Sequence, residues 1–153
     1  MMNREEINKI GRMIEYPKPN LPVPATLVVC CLIDSLARNY SGEGCERFTK
    51  YIKNKMVTTF SQLQQNDSLK KEQIKALNCS FKGHTNKHCR NSAEILYRHV
   101  RCGLVHNYFE KEGYIFINRP NAEQDRIIID RSVKFQNFAL VVNAPAFIKD
   151  FLR

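Results

Sequence analysis

The stretch NSAEILYRHVRCGLVHNYFE, Asn91 to Glu110, constrains the fold more than any other part of this chain. Asn91 is a helix-capping residue type, and Glu94, three positions on, is placed to reach back to the cap amide. No proline follows until Pro120, and only Gly103 interrupts good helix-forming sequence. At 3.6 residues per turn, Ala93, Leu96, Tyr97, Val100 and Leu104 share one face. Ile95, Cys102, Val105 and Phe109 form a second apolar face. A helix apolar on two sides is central in a bundle or shared with a second subunit. His99, Arg101 and His106 fall between the faces.

The other segments fit around such a helix. Residues 2 to 14 have Ile7, Ile10 and Ile14 at helical spacing, and Tyr16 to Pro24, with four prolines in nine residues, reads as an extended strap and not a helix. Thr26 to Tyr40 is a strongly apolar helix closed by Ser41-Gly42. A further helix spans about Cys45 to Val57, with Phe48, Ile52 and Met56 inward. Ser61 to Asn78 is weaker, its periodic part (Leu69, Ile74, Leu77) starting near Asp67 or Ser68. Cys79 to Arg90 reads as a polar, basic loop. Tyr114 to Ile117 and Arg126 to Asp130 are rich in β-formers and joined by a polar link, which predicts a hairpin. From about Ser132 to Leu152 helical spacing returns, with a restart at Pro145. The expected fold class is mainly α: a single domain over residues 1–153, residues 1–24 forming an N-terminal helix and strap, in a bundle of four to six helices with a small β-hairpin near 114–130.

Charge bounds the function. Twenty-four Lys and Arg against fifteen Asp and Glu leave a net +9, which favours polyanionic partners such as RNA. The N-terminus lacks the apolar core of a secretory signal, and the longest apolar run, Leu27 to Ile33, is too short to span a bilayer. A cytoplasmic protein with no membrane association is expected, its six cysteines thiols and not three disulfides.

The chemistry concentrates in R-x-x-x-x-H-x-Y, at Arg101, His106 and Tyr108. A guanidinium is permanently charged and forked, suited to the extra negative charge of a five-coordinate phosphorus. A histidine takes a proton from a ribose 2′-hydroxyl or gives one to a leaving 5′-oxygen near neutral pH. Tyr108 donates to phosphate or stacks on a base. Asn107, His99, Lys82, Lys87 and Arg90 complete the candidate set as substrate-binding groups. Arg101 and His106 lie roughly 140° apart on an ideal helix, so two copies about a two-fold axis would gather them better than one.

In these residues the chain resembles the HEPN superfamily. R-x-x-x-x-H in a late helix of a small bundle is similar to its ribonuclease members, and the tyrosine two residues after the histidine is similar to the HepT toxin branch. The resemblance implies a metal-independent endoribonuclease acting as a homodimer, a toxin or defence component with Arg101 and His106 catalytic. It also implies a nucleotidyltransferase antitoxin that modifies Tyr108. Cys102 stands where the family often has asparagine. The alternative is a non-catalytic HEPN-like module that holds nucleic acid or protein.

No cofactor or metal is expected. Cys79, His84, His88 and Cys89 have zinc-ligand chemistry but not zinc-ligand spacing, and a phosphate-meeting basic loop is the better reading. Cys102 beside Arg101 has a cationic setting for a nucleophile, but its apolar face favours a buried thiol.

Overall fold

The computed structural model describes residues 22–77, 89–102, 114–117 and 127–153. Helix α1 is Pro22–Leu36, followed by a 3-10 turn at Ala37–Asn39. It begins two residues before the strap was expected to end. Prolines 22 and 24 fall in its first turn, where backbone N–H groups have no intrahelical acceptor to lose. Val29, Cys30 and Ile33 are fully buried and Ala25 and Leu32 nearly so. Gly42, at φ 109°, turns the chain through the left-handed region that a side chain resists.

Helix α2 is Gly44–Lys55, with Phe48 and Ile52 buried and the lysines outside, as the periodicity requires. Met56 leaves helical geometry at φ −122°, ψ 62°, and α3, Val57–Leu69, starts immediately after it. Thr59, Leu63 and Asn66 form the buried stripe of α3. Lys70 makes the next break, and α4 is Lys71–Ala76. The helical pattern therefore divides at Met56 and Lys70 and not at Asp67 or Ser68. Leu69, expected inward, is 62% exposed, while Ile74 is buried.

The stretch that opens at Asn91 starts as foreseen. Asn91 Oδ1 accepts from the Glu94 amide at 2.9 Å. Glu94 reaches back one residue further than a simple capping box, to the Arg90 amide at 2.7 Å. Helix α5, Ser92–Ile95, then passes into a π-helix, Leu96–Cys102. Hydrogen bonds from i to i+5 reduce the angular step per residue, so faces drawn at 100° no longer hold. His99, placed between two faces by the ideal wheel, is buried at 2% exposure. Residues 103–110 of this stretch lie outside the described residues, as do 1–21.

The β element differs from a hairpin. Strand β1, Tyr114–Ile117, pairs in parallel with β2, Leu140–Asn143, in the register Tyr114 to Leu140 and Ile117 to Asn143. The second β-rich stretch also pairs with β2, through an antiparallel bridge from Ile129 to Val142. The Asp130 amide donates to the Val141 carbonyl and the Asn143 amide to the Ile128 carbonyl. Both stretches are extended, but β2 lies between them. LVVN is buried at every position, so an apolar run read as helix by its spacing is the central strand. Before it comes a 3-10 turn, Val133–Phe135; after it, α6, Ala144–Leu152, restarts with Pro145 in its first turn. The mainly helical class with a small β element stands.

Polar side chains fasten these pieces where apolar packing cannot set the register. Asp150 on α6, 5% exposed, accepts from the Thr59 amide at 3.0 Å and its hydroxyl at 2.6 Å, capping the first turn of α3 from across the core. Gln62 Oε1 accepts from the Ile128 and Ile129 amides. Asn66 donates to Ser92 Oγ and to the Ala139 carbonyl. Asp67 Oδ1 accepts from the Ser92 amide at 2.6 Å.

Asp150→Ala strands two buried donors of Thr59 and is expected to destabilise the fold by about 2 kcal/mol, read as a lower urea midpoint. Asp67 gives a pH test. Burial pushes its carboxyl above the ordinary 3.8, against the lowering effect of the Ser92 hydrogen bonds. A raised native value means that the folded state binds more protons, so this group's contribution to stability falls as pH rises through the window above 3.8. Asp67→Asn keeps the acceptor for Ser92 and removes that dependence. Stability of the variant relative to the parent is expected to rise from pH 4 to pH 7 in urea titrations.

Candidate functional site

Helix α1 carries one charged side chain, Asp34, in an otherwise apolar segment. Such a carboxylate, 21% exposed, needs a partner, and the partner is Arg101 of the π-helix. Arg101 NH2 donates to Asp34 Oδ2 at 2.6 Å. The guanidinium carbon lies 5.6 Å from the centre of the Tyr97 ring, one turn back on the same element. Arg101 NH1 also approaches Cys102 Sγ at 3.5 Å. Arg101 Nε is buried without an acceptor among the described residues, a desolvated donor of the kind that folded proteins seldom keep without a use.

Tyr97 connects this cluster to α2. Its ring meets Phe48 at 5.2 Å between centroids, tilted at 56°. Its hydroxyl lies so close to Gly44 that any β-carbon there would overlap it, so the first residue of α2 has to be glycine for the tyrosine to seat.

Electrostatics keep Arg101 charged and the Cys30 and Cys31 thiols neutral. Burial opposes the charge of Arg101, but the Cys102 contact and the Asp34 carboxylate outweigh it, and the guanidinium is held above its ordinary value. Cys30 and Cys31, one turn before Asp34, are both pushed up by burial. For Cys31 the charge of Arg101 lowers it and Asp34 raises it again. Tyr97 is raised by burial first and by neighbouring negative charge second. The site therefore presents one forked cation, fixed by a carboxylate and an aromatic face, near the protonated thiols of Cys30 and Cys31. That arrangement can hold and orient an oxyanion; it contains no activated thiol at Cys30 or Cys31.

The other sequence candidates divide. Arg90 is 81% exposed at its side chain and committed to Glu94, through Nε at 2.8 Å and NH2 at 2.6 Å. It lines a surface cleft beside α2 of which Arg101 is not part. His99, being buried, is not a surface group for substrate. His106, Asn107, Tyr108, Lys82 and Lys87 lie outside the described residues. Cys89 is disulfide-bonded and 2% exposed, which corrects the reading of all six cysteines as thiols and removes Cys89 as a zinc ligand. Cys30, Cys31, Cys45 and Cys102 are free. No group of metal-ligating side chains occurs among the described residues, and no described helix is long and apolar enough to cross a membrane. The residue that sequence reasoning missed is Asp34. The signal was present as a lone acid in an apolar helix, a pattern that demands a partner.

No protein-family model matches the chain, and none of the curated proteins or solved structures compared with it matches either.

Asp34 and Arg101 should be energetically coupled. Either single alanine substitution leaves a partly buried charge, so each is expected to cost about 1–2 kcal/mol, and the double substitution less than the sum. Urea denaturation of the three variants gives the coupling directly.

Proposed function

We propose that the chain is a metal-independent endoribonuclease of HEPN type, a toxin or defence component that acts as a homodimer in the cytoplasm. The observation that carries this reading is the setting of Arg101: a permanently charged fork, fixed by Asp34 and Tyr97, five residues before His106 in sequence. The net charge of +9 supports a polyanionic substrate. In this reading the ribose 2′-hydroxyl attacks the adjacent phosphorus. His106 takes the proton from that hydroxyl or supplies one to the 5′-oxygen as it leaves, and a 2′,3′-cyclic phosphate results. Arg101 stabilises the charge gathering on the non-bridging oxygens, its angle already set before RNA arrives. Asp34 is a positioning residue: it does not touch RNA, and it aligns the guanidinium.

Tyr108 hydrogen-bonds phosphate or stacks on a base in this scheme, and it is the group a nucleotidyltransferase partner would modify. A second copy of the chain supplies the opposite Arg101 and His106 across the two-fold axis. Arg90, with Lys82, Lys87 and Asn107, extends contact along the strand.

A specific observation favours a second reading. The 2.6 Å pair with Asp34 offsets the charge of Arg101, which suits a non-catalytic module that binds nucleic acid or protein. The Cys89 disulfide also pulls against a reducing cytosol.

One experiment separates the two readings. Purified protein is incubated with single-stranded RNA in EDTA, and the products are examined for cyclic-phosphate ends. The nuclease reading expects cleavage that His106→Ala and Arg101→Gln each reduce by at least about 100-fold, with the dimer retained. Binding without cleavage, or full activity in His106→Ala, overturns it.

A further inference from the structure

A cleft of about 750 Å³ lies between the start of α2 and the segment that runs from Arg90 to the π-helix. Its hydrogen-bonding groups are unevenly used. The Glu94 carboxylate, 3% exposed, is taken up by the Arg90 amide and guanidinium. Glu46 is paired with Lys50 at 2.8 Å, and Lys50 also donates to the Ser41 carbonyl at 2.9 Å and hydroxyl at 3.1 Å. Glu43 stands exposed at the mouth, on the N-terminal cap position of α2, where the helix dipole favours a negative charge.

The donors are another matter. Arg98 lines the cleft and, among the described residues, pairs with no carboxylate. Its partner among the described residues is the Cys45 thiol, which burial first and Glu94 second push up to about 11, so that it is neutral near pH 7. The Asn91 side chain spends its oxygen on the Glu94 amide, leaving its NH2 group without an acceptor among the described residues. A partly buried arginine paired with a neutral thiol, and an unused amide lining the same cleft, have the chemistry to receive an oxyanion: a fork for two oxygens and a second donor for a third.

We propose that this cleft is a phosphate-binding site, with Arg98 as its anchor and the Asn91 amide as its second donor. Arg101 does not line it, so the site stands whether or not the chain cleaves RNA. The phosphate group comes either from a free phosphoryl compound or from a nucleic-acid backbone that crosses the cleft.

The test compares wild type with Arg98→Gln, and with Lys75→Gln as a control for loss of one exposed positive charge elsewhere. Inorganic phosphate is the first probe, read by thermal shift against chloride at equal ionic strength. A short fluorescent single-stranded RNA is the second, read by anisotropy over a salt series. Phosphate stabilisation of the wild type and Lys75→Gln that vanishes in Arg98→Gln supports the site and points to the free phosphoryl source. RNA binding that weakens roughly tenfold in Arg98→Gln, with the log–log salt slope reduced by about 0.7, supports the backbone source, since one phosphate contact on a single strand contributes that much. If Arg98→Gln does not fold, Arg98→Lys carries the test: it keeps the charge and loses the fork, and weaker binding of the same probe is expected. Equal response of wild type and a folded Arg98 variant to both probes overturns the proposal.

Discussion

A fifteen-residue helix with a single charge cannot lie on a surface; it has to be covered. The rest of the described fold follows from covering α1. Helices α2 and α6 and the π-helix all pack against it, and Phe48, Val100 and Phe147 are buried in the same core as Val29 and Ile33. The one charge on α1 then sets a demand of its own. Asp34 cannot be left half-buried and alone, and Arg101 answers it. The guanidinium of the candidate site is thus also the counter-ion of the helix at the centre of the molecule.

The second layer of organisation is polar and long-range. Asp150 with Thr59, Gln62 with the 128–129 amides, Asn66 with Ser92 and Ala139, and Lys70 with the Phe135 carbonyl each join α3 or its end to something distant in sequence. Apolar contacts make the core favourable but tolerate sliding; a buried carboxylate or amide does not. Helix α3 has a weak apolar stripe, and its place is fixed largely by these pairs.

What could be read from the sequence follows from these two layers. Period and capping were local and therefore legible: the inward Phe48 and Ile52, the Asn91 cap and the restart at Pro145 are all where residue spacing puts them. The start of α1 was not, because prolines that break a helix interior are harmless in its first turn. Strand β2 was not, because Leu140 to Val142 carries no alternation when it is buried on all sides, and a short apolar run looks the same in a helix. The wheel that set His99 between two faces failed for another reason: the π-helix changes the angle per residue, and nothing in LYRHVRC announces it. Within the candidate site, Arg101 was legible from its motif, whereas Asp34 lies 67 positions away and is joined to it only by the fold.

The Thr59 to Asp150 bond spans 91 residues, and the Asn66 to Ala139 bond spans 73. Both are closed by the segment from Ala139 through α6, which follows α1 and α3 by many residues in chain order. Until β2 and α6 emerge, α1 has no cover on that side and α3 has no remote cap, so the nascent chain carries exposed apolar surface until those elements follow. A chain cut short before Ala139 would lack both bonds and the cover that α6 gives α1, and would meet chaperones and proteases with that apolar surface open.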